Sequence, residues 1–431
     1  MRFSSLPEWL TWQEGLHPST IELGLDRVSE VFRRLHPSAS PCPVITVAGT
    51  NGKGSSVALL ESIYQNAGYK TGAYTSPHLL RYNERIHLNG EEVSDVVICE
   101  AFERIDQARL NQIHPEANNE ISLTYFEFGT LAALDIYFRA KPDVMILEVG
   151  LGGRLDVVNI LDANVALITS IGIDHTDWLG HDRETIAKEK AGIMRKDRPV
   201  IFSSPDMPES IREKAKEVGA VLYQRGKDFD WKLGAGYGAW DWNSSKQQRA
   251  ALPQSNLRGT HQLDNAAGVL MAVECLADKL PVNQQQIKAG LLSVSVPGRF
   301  QCLGGDPMHI LDVAHNEDSM ACLAELLNAQ VCGGDNVAVL GMLQDKAHAE
   351  SLSMMLPEIT HWYIADLDVP RGAKAEHLAE VLKNLDKDVK VSCFPDVKLA
   401  IEAADEKAES GDRVIIFGSF YTVELAMQTG I

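Results

Sequence analysis

The stretch Val44-Ile45-Thr46-Val47-Ala48-Gly49-Thr50-Asn51-Gly52-Lys53-Gly54-Ser55-Ser56 decides how the first half of this chain is read. The β-type residues Val44 to Val47 run into a turn with glycines at 49, 52 and 54. A helical apolar pattern (Val57, Leu59, Leu60, Ile63) begins at Ser56. Strand, glycine-rich turn and helix in that order make a phosphate cradle. Glycines let backbone N–H groups approach an anion, the helix N-terminus adds its dipole, and Lys53 adds a point charge. The general P-loop pattern is met imperfectly: no glycine leads the loop, and Gly54 separates Lys53 from the hydroxyl of Ser55. The competing reading is an ordinary glycine turn in an α/β domain. Nucleotide binding alone names no reaction.

Outward from that loop, strand patterns at Val44–Val47, Val144–Leu147, Val165–Thr169 and Val200–Phe202 alternate with helical ones. The helices are expected near Ser55–Ala67, Ser94–Leu110, Tyr125–Phe138, Arg183–Met194 and Ile211–Val218. This alternation predicts a mostly parallel sheet with helices on both faces. Residues 226–255 break the pattern, with Trp231, Tyr237, Trp240 and Trp242 among glycines and polar residues, and are expected to form short antiparallel strands on one flank. Helical patterns resume near Gln262–Ala277 and Gln284–Leu292. Pro297-Gly298-Arg299-Phe300 then reads as a hinge, followed by a second βα series with strands at His309–Val313, Val337–Leu340, Trp362–Ala365, Val389–Cys393 and Val414–Phe417. The expected fold is α/β: a P-loop, mostly parallel-sheet domain with a small β flank over residues 1–297, then a smaller Rossmann-like domain over 298–431. Ligands of open α/β sheets bind at the carboxyl ends of the strands. Residues just after Val47, Leu147, Ser170, Val313 and Phe417 are therefore the places to look for chemistry.

The bulk properties narrow the function classes. A chain of 431 residues suggests two or three domains, and 45% apolar with 23% charged residues is ordinary for a soluble globular protein. A net charge of −19 argues against a polyanion partner and leaves a small anionic ligand open. Seven scattered cysteines without a CxxC pair point away from structural zinc and disulfides, toward a reducing cytoplasm. Residues 1–12 lack a signal-peptide core, and no apolar run approaches the ~20 residues of a membrane span. No exposed apolar helix or edge is legible, so a monomer is expected.

Several polar residues fall at predicted strand ends. Glu148, before Val149-Gly150-Leu151-Gly152-Gly153, stands where an acid beside a P-loop holds Mg²⁺ near nucleotide phosphates; the plain alternative is a carboxylate accepting from loop N–H groups. Asp174-His175 ends a second strand at the same edge. Histidine on magnesium is uncommon, because that cation prefers oxygen, so a ligand role for His175 is the more diagnostic. Ile186, Lys190 and Ile193 share one helical stripe, which aims Lys190 at the core. Burial should leave its amine partly neutral. A neutral amine beside a divalent cation takes up CO₂ as a carbamate, an added anionic oxygen ligand; pairing with a buried acid is the alternative. Ser76 and His78 sit in a Ser-Pro turn whose hydroxyl would complete an octahedral shell. Arg299, Asp312 and His315 would face the loop if the second domain closed over the first. Arginine there suits phosphate and aspartate a ribose hydroxyl.

Taken together these segments resemble the Mur-ligase-type ATP-dependent amide ligases, and more closely the bacterial bifunctional dihydrofolate synthase/folylpolyglutamate synthases. The segments are Thr20–Val28, Thr46–Ser56, Tyr74–Arg85, Ser122–Gly129, Leu147–Asn159, Asp174–Gly180, Glu189–Met194, His261–Ala267, Pro297–Gln301 and Leu311–Asn316, in order along the whole chain. The resemblance implies ATP contacts at Thr50, Asn51, Gly52, Lys53, Gly54, Ser55, Asn265, Arg299, Asp312 and His315. It implies metal ligation by Ser76, Glu148, His175 and Lys190 as carbamate, with Lys53, His175 and Lys190 serving catalysis. It implies a pterin site from Thr20, Ile21, Glu22, Leu23, Thr124, Tyr125, Phe126, Glu127, Leu155, Asp156 and Val157. The Thr124–Glu127 segment is the one specific to the bifunctional enzymes. Val157-Val158 departs from the smaller residues of relatives, which would narrow the pterin site.

ATP as cosubstrate, two Mg²⁺ ions and a candidate monovalent cation are implied with them. The implied substrates are dihydropteroate, reduced folates and L-glutamate, with no nucleic acid or membrane partner. The implied reaction phosphorylates a carboxylate and lets the glutamate amine displace phosphate. A folylpolyglutamate synthase without dihydropteroate activity shares nearly every motif. A cell-wall Mur ligase would lack the pterin segments. A P-loop regulatory NTPase would hydrolyse ATP regardless of pterin or glutamate.

Overall fold

The computed structural model describes residues 2–19, 21–111, 120–234 and 238–431; Thr20 and Tyr237 lie outside them. The first sheet has eight strands: β1 (Val44–Ala48), β2 (Thr71–Tyr74), β3 (Ile86–Leu88), β4 (Glu91–Glu92), β5 (Val144–Glu148), β6 (Val165–Ile168), β7 (Pro199–Phe202) and β8 (Val221–Gln224). They are ordered β4-β3-β2-β5-β1-β6-β7-β8. From β2 to β8 neighbouring strands run parallel, and only β3 and β4 pair antiparallel at one edge. The central β1 shows why. All five of its residues are buried, Val44 and Ala48 packing into one apolar core and Ile45 and Val47 into another. A parallel strand covered by helices on both faces reads as such a continuous apolar run.

The flank is a three-stranded antiparallel sheet of β9 (Phe229–Leu233), β10 (Ala239–Ser244) and β11 (Gln248–Pro253). Trp240 and Trp242 are buried in the second core, against the helix Thr260–Cys275, and the Trp242 indole donates to Ala267 O at 3.1 Å. The later sheet contains β12 (Gln301–Leu303), β13 (Met308–Leu311), β14 (Asn336–Leu340), β15 (His361–Ala365), β16 (Val391–Phe394) and β17 (Arg413–Phe417). Its order is β12-β13-β17-β14-β15-β16, with β12 alone antiparallel and an apolar core on each face. Short strands β3, β4, β8 and β12 are absent from the sequence reading, because runs of two to four residues carry little periodicity. Glu148 belongs to β5, beside Val47, instead of following the strand. Arg183–Lys190 ends as a 3-10 turn, Ala191–Ile193, where one longer helix was expected.

Candidate active site

The carboxyl ends of β1, β2, β5, β6 and β13 open onto one cavity of about 730 Å³. Thr50, Asn51, Gly52, Lys53, Gly54, Ser55, Ser76, Glu148, His175, Lys190, Asn265, Arg299, Asp312 and His315 all line it. The glycine turn is fixed by its surroundings. Gly52 has φ +85, and an added Cβ there would lie 2.5 Å from Asn265 Oδ1, so only glycine serves. The turn is tied to the loop after β6: Thr50 N donates to Ser170 O at 2.8 Å and Asn51 N to Ser170 Oγ at 3.2 Å. The helix Lys53–Asn66 starts immediately after it.

Two lysines converge on one carbonyl. Lys53 Nζ donates to Gly49 O and Thr50 O, both at 3.0 Å, and Lys190 Nζ donates to Gly49 O at 2.9 Å. Burial depresses Lys53, against the pull of Glu148 and Asp174. Burial, then the neighbouring Lys53, brings Lys190 down to about 7. Two cations this close are held apart only weakly by one carbonyl, and an anion between them would relieve both. Glu148 is raised by burial, opposed by Lys53, and accepts from Ser76 N at 3.2 Å. His175, left-handed at φ +52, is brought down to about 4 by burial and stays neutral at ordinary pH.

Ser76, Glu148 and His175 bring one hydroxyl, one carboxylate and one imidazole to the lining of the cavity. Among the described residues no group of three or more His, Cys, Asp or Glu side chains could hold a metal alone. Arg299 and Asp312, both half-buried, line the same cavity. Asp312 accepts from Phe300 N and Ala314 N, each at 2.8 Å, and burial raises it while Arg299 opposes the shift.

The expected pterin residues divide differently, since none of those described lines the cavity. Thr124 and Glu127 close a reciprocal cap on the helix Tyr125–Ala140: Thr124 N donates to Glu127 Oε2 at 2.7 Å and Glu127 N to Thr124 Oγ1 at 3.2 Å. Glu127 also receives Arg27, which pairs with Glu22. Asp156 accepts from Leu151 N and Val158 N and is pushed up to about 6 by burial. Ile21 and Leu23 are half-buried, as is Leu155. Val157 and Val158 are buried in the core rather than placed at the cavity wall. Phe126 and Tyr125 come nearest: Phe126 covers Gly150, and Tyr125 lies 5.9 Å under the Arg85 guanidinium.

Arg85 was missed by the sequence reading. It is buried at the cavity and donates to His78 Nδ1 at 2.7 Å, with no carboxylate in ion-pair range among the described residues. Asp174 and Lys346, 2.6 Å apart, were also missed as a pair. Their partners lie 172 positions apart in the chain, beyond any local pattern.

Comparison with known proteins follows this geometry. Residues 119–273 match the Mur ligase middle domain and residues 298–420 the Mur ligase glutamate ligase domain. The chain is 44% identical to a dihydrofolate synthase/folylpolyglutamate synthase of Escherichia coli K12, over 99% of this chain and 95% of that protein. It is 31% identical to the one of Bacillus subtilis, over 98% of each. Among solved structures it resembles E. coli FolC in complex with DHPP and ADP, with TM-score 0.91 and 43% identity over 99% of this chain and 97% of that one. It also resembles a bifunctional folylpolyglutamate synthase/dihydrofolate synthase with Mn, AMPPNP and L-glutamate bound, with TM-score 0.89 and 44% identity over 99% and 98%. The chain belongs to the Mur ligase superfamily and, within it, to the bifunctional dihydrofolate synthase/folylpolyglutamate synthases.

Proposed function

We propose that this chain is an ATP-dependent ligase that joins L-glutamate to 7,8-dihydropteroate and to reduced folates, giving ADP and phosphate. The observation that carries this reading is the single cavity in which the glycine loop, Lys53 and Glu148 face Arg299, Asp312 and His315. A carboxylate is a poor electrophile, so its oxygen first takes the γ-phosphoryl group of ATP. The glutamate amine then attacks the acyl carbon and phosphate leaves. Lys53 offsets charge on the phosphoryl oxygens, with the turn's N–H groups and Arg299 beside it. Ser76, Glu148 and His175 would hold a divalent ion, which supplies further charge compensation when bound. Arg85 offers a carboxylate of a substrate a buried guanidinium.

Lys190, with an amine near neutrality, takes up CO₂: its nitrogen bonds the carbon and a proton leaves to solvent. The resulting carbamate would add an anionic oxygen ligand for a second Mg²⁺, and a monovalent cation would complete the set. Thr124–Glu127 with Tyr125 and Phe126, Ile21–Leu23 and Leu155–Val157 form the pterin side. We assign the ATP- and pterin-binding domain to residues 1–297 and the ligase domain to 298–431, hinged at Pro297–Phe300. The enzyme acts as a cytoplasmic monomer; no helix among the described residues is long and apolar enough to cross a membrane.

ADP release with Mg²⁺-ATP and L-glutamate tests the reading, comparing dihydropteroate with a reduced folate monoglutamate. Turnover on both is expected. Turnover on the folate alone would reduce the enzyme to chain extension, and turnover on neither would overturn the assignment.

A further inference from the structure

The two halves of the cavity are carried by separate sheets, and the ion pairs between them have a common end. Among the described residues, both ion pairs that cross between residues 1–297 and 298–431 end on Asp174: Lys346 Nζ at 2.6 Å on Oδ1 and His315 Nε2 at 3.5 Å on Oδ2. Asn316 Nδ2 adds a hydrogen bond to Oδ2 at 3.2 Å. The three donors come from two loops. His315 and Asn316 precede the helix Glu317–Asn328, which Asn316 caps, and Lys346 follows β14. Asn316 also exchanges two side-chain hydrogen bonds of 3.1 Å with Asn51 of the glycine turn.

The contact is dry. The Asp174 side chain is 10% exposed and that of Lys346 is 8%. Lys346 Nζ, 2.6 Å from Oδ1, meets the carboxylate from the later sheet. A buried anion receiving three donors from the opposite unit fixes that unit in distance and in rotation, which a single surface pair would not do. It does so one residue from His175 and against the turn that cradles phosphate.

We propose that Asp174 is a positioning residue, a latch that holds the later sheet closed over the glycine turn so that both halves address the same reacting atoms. This rests on the ligase reading of the cavity. It extends that reading by naming what holds the halves in register while the acyl phosphate exists. Loss of the latch opens the cavity to water, which attacks the acyl phosphorus or carbon in place of the amine. The cost falls on coupling and turnover more than on nucleotide binding.

The test uses the full-length enzyme and Asp174→Asn, with Lys346→Met as the second variant should the first fail to fold. Phosphate released per amide formed, kcat, ADP affinity and the radius of gyration with ATP analogue bound are measured. The expected result is a fall in kcat of about tenfold or more. The phosphate-to-amide ratio rises above one, the particle is larger with nucleotide bound, and ADP affinity stays within about threefold. Asp174→Glu should restore part of the coupling. A variant with unchanged coupling and unchanged radius overturns the latch while wild-type amide formation keeps the ligase reading intact. Rescue of Asp174→Asn by raised Mg²⁺ alone also overturns it, since the residue would then act through the metal site. A wild type that forms no amide brings down the ligase reading itself.

Discussion

Two clusters of buried charge in the first half of the chain have opposite characters. Around Asp135, on the helix Tyr125–Ala140, every charge has its partner: His36 Nε2 at 2.8 Å, Arg104 at 2.7 Å and Arg139 at 3.1 Å. Burial would raise this carboxyl, and the hydrogen bonds from His36 and Arg104 lower it. Around the glycine turn, Lys53 and Lys190 share a backbone carbonyl, Glu148 accepts from one N–H, and both lysines are depressed by burial. The first cluster is a closed account of charge that holds helices together. The second is left open toward a cavity, and its charges find their match only in a ligand. Buried charge with complete partners reads as architecture, and buried charge without them as chemistry.

The sharpest way to break this contrast is Lys53→Met. It should cut kcat by about 10³-fold, as losing a fixed cation at a developing anion does, while thermal unfolding shifts little or upward because a cation disfavoured by desolvation is gone. Asp135→Ala should do the reverse, lowering stability by about 3 kcal/mol through three orphaned donors. Its kcat per folded molecule, measured below the unfolding transition, should stay within about twofold of wild type. A stable Asp135→Ala with impaired turnover would erase the distinction.

Lys190→Gln should cost about 10² in kcat and abolish any stimulation by bicarbonate. In the wild type that stimulation should appear above pH 7, where the amine is neutral, and fade below it. The stability counterpart has a definite sign. The folded amine titrates near 7 and the unfolded one at the ordinary lysine value of 10.5. Between these values the unfolded chain binds more protons, so this residue's penalty is full below pH 7 and relaxes as pH rises. Denaturant titrations of metal-free wild type and Lys190→Gln between pH 6 and 10 should show a slope difference of that sign. Smallest of all, Thr124→Ala should lower stability by about 1 kcal/mol through loss of its cap. A rise in KM for dihydropteroate that exceeds the rise for folate would give the residue a part in binding as well.

How much could be read before the fold was known differs by kind of residue. The glycine turn was legible, because strand, turn and helix signals lie within thirteen consecutive positions. Lys190 was legible as buried, since Ile186 and Ile193 fix its side of the helix and all three are buried. Thr124 and Glu127 entered only through the resemblance, as pterin residues, and the structure uses them as a reciprocal helix cap. Arg85 gave no such signal: its neighbours Asn83 and Glu84 suggest a surface turn, and only the packing of Tyr82 and Tyr125 beside it makes it buried. Asp174 appeared only as the companion of His175.

The sequence by itself determined the alternation of the longer strands and helices, the phosphate turn and the burial of Lys190. Each of these rests on periodicity or on neighbours within one or two helical turns. Tertiary structure decided that the later sheet is docked so that Arg299, Asp312 and His315 line one cavity with Lys53, and that Lys346 and Asn316 meet on Asp174. Those contacts depend on how two sheets are docked, and docking is set by surfaces summed over many residues, which no local spacing encodes.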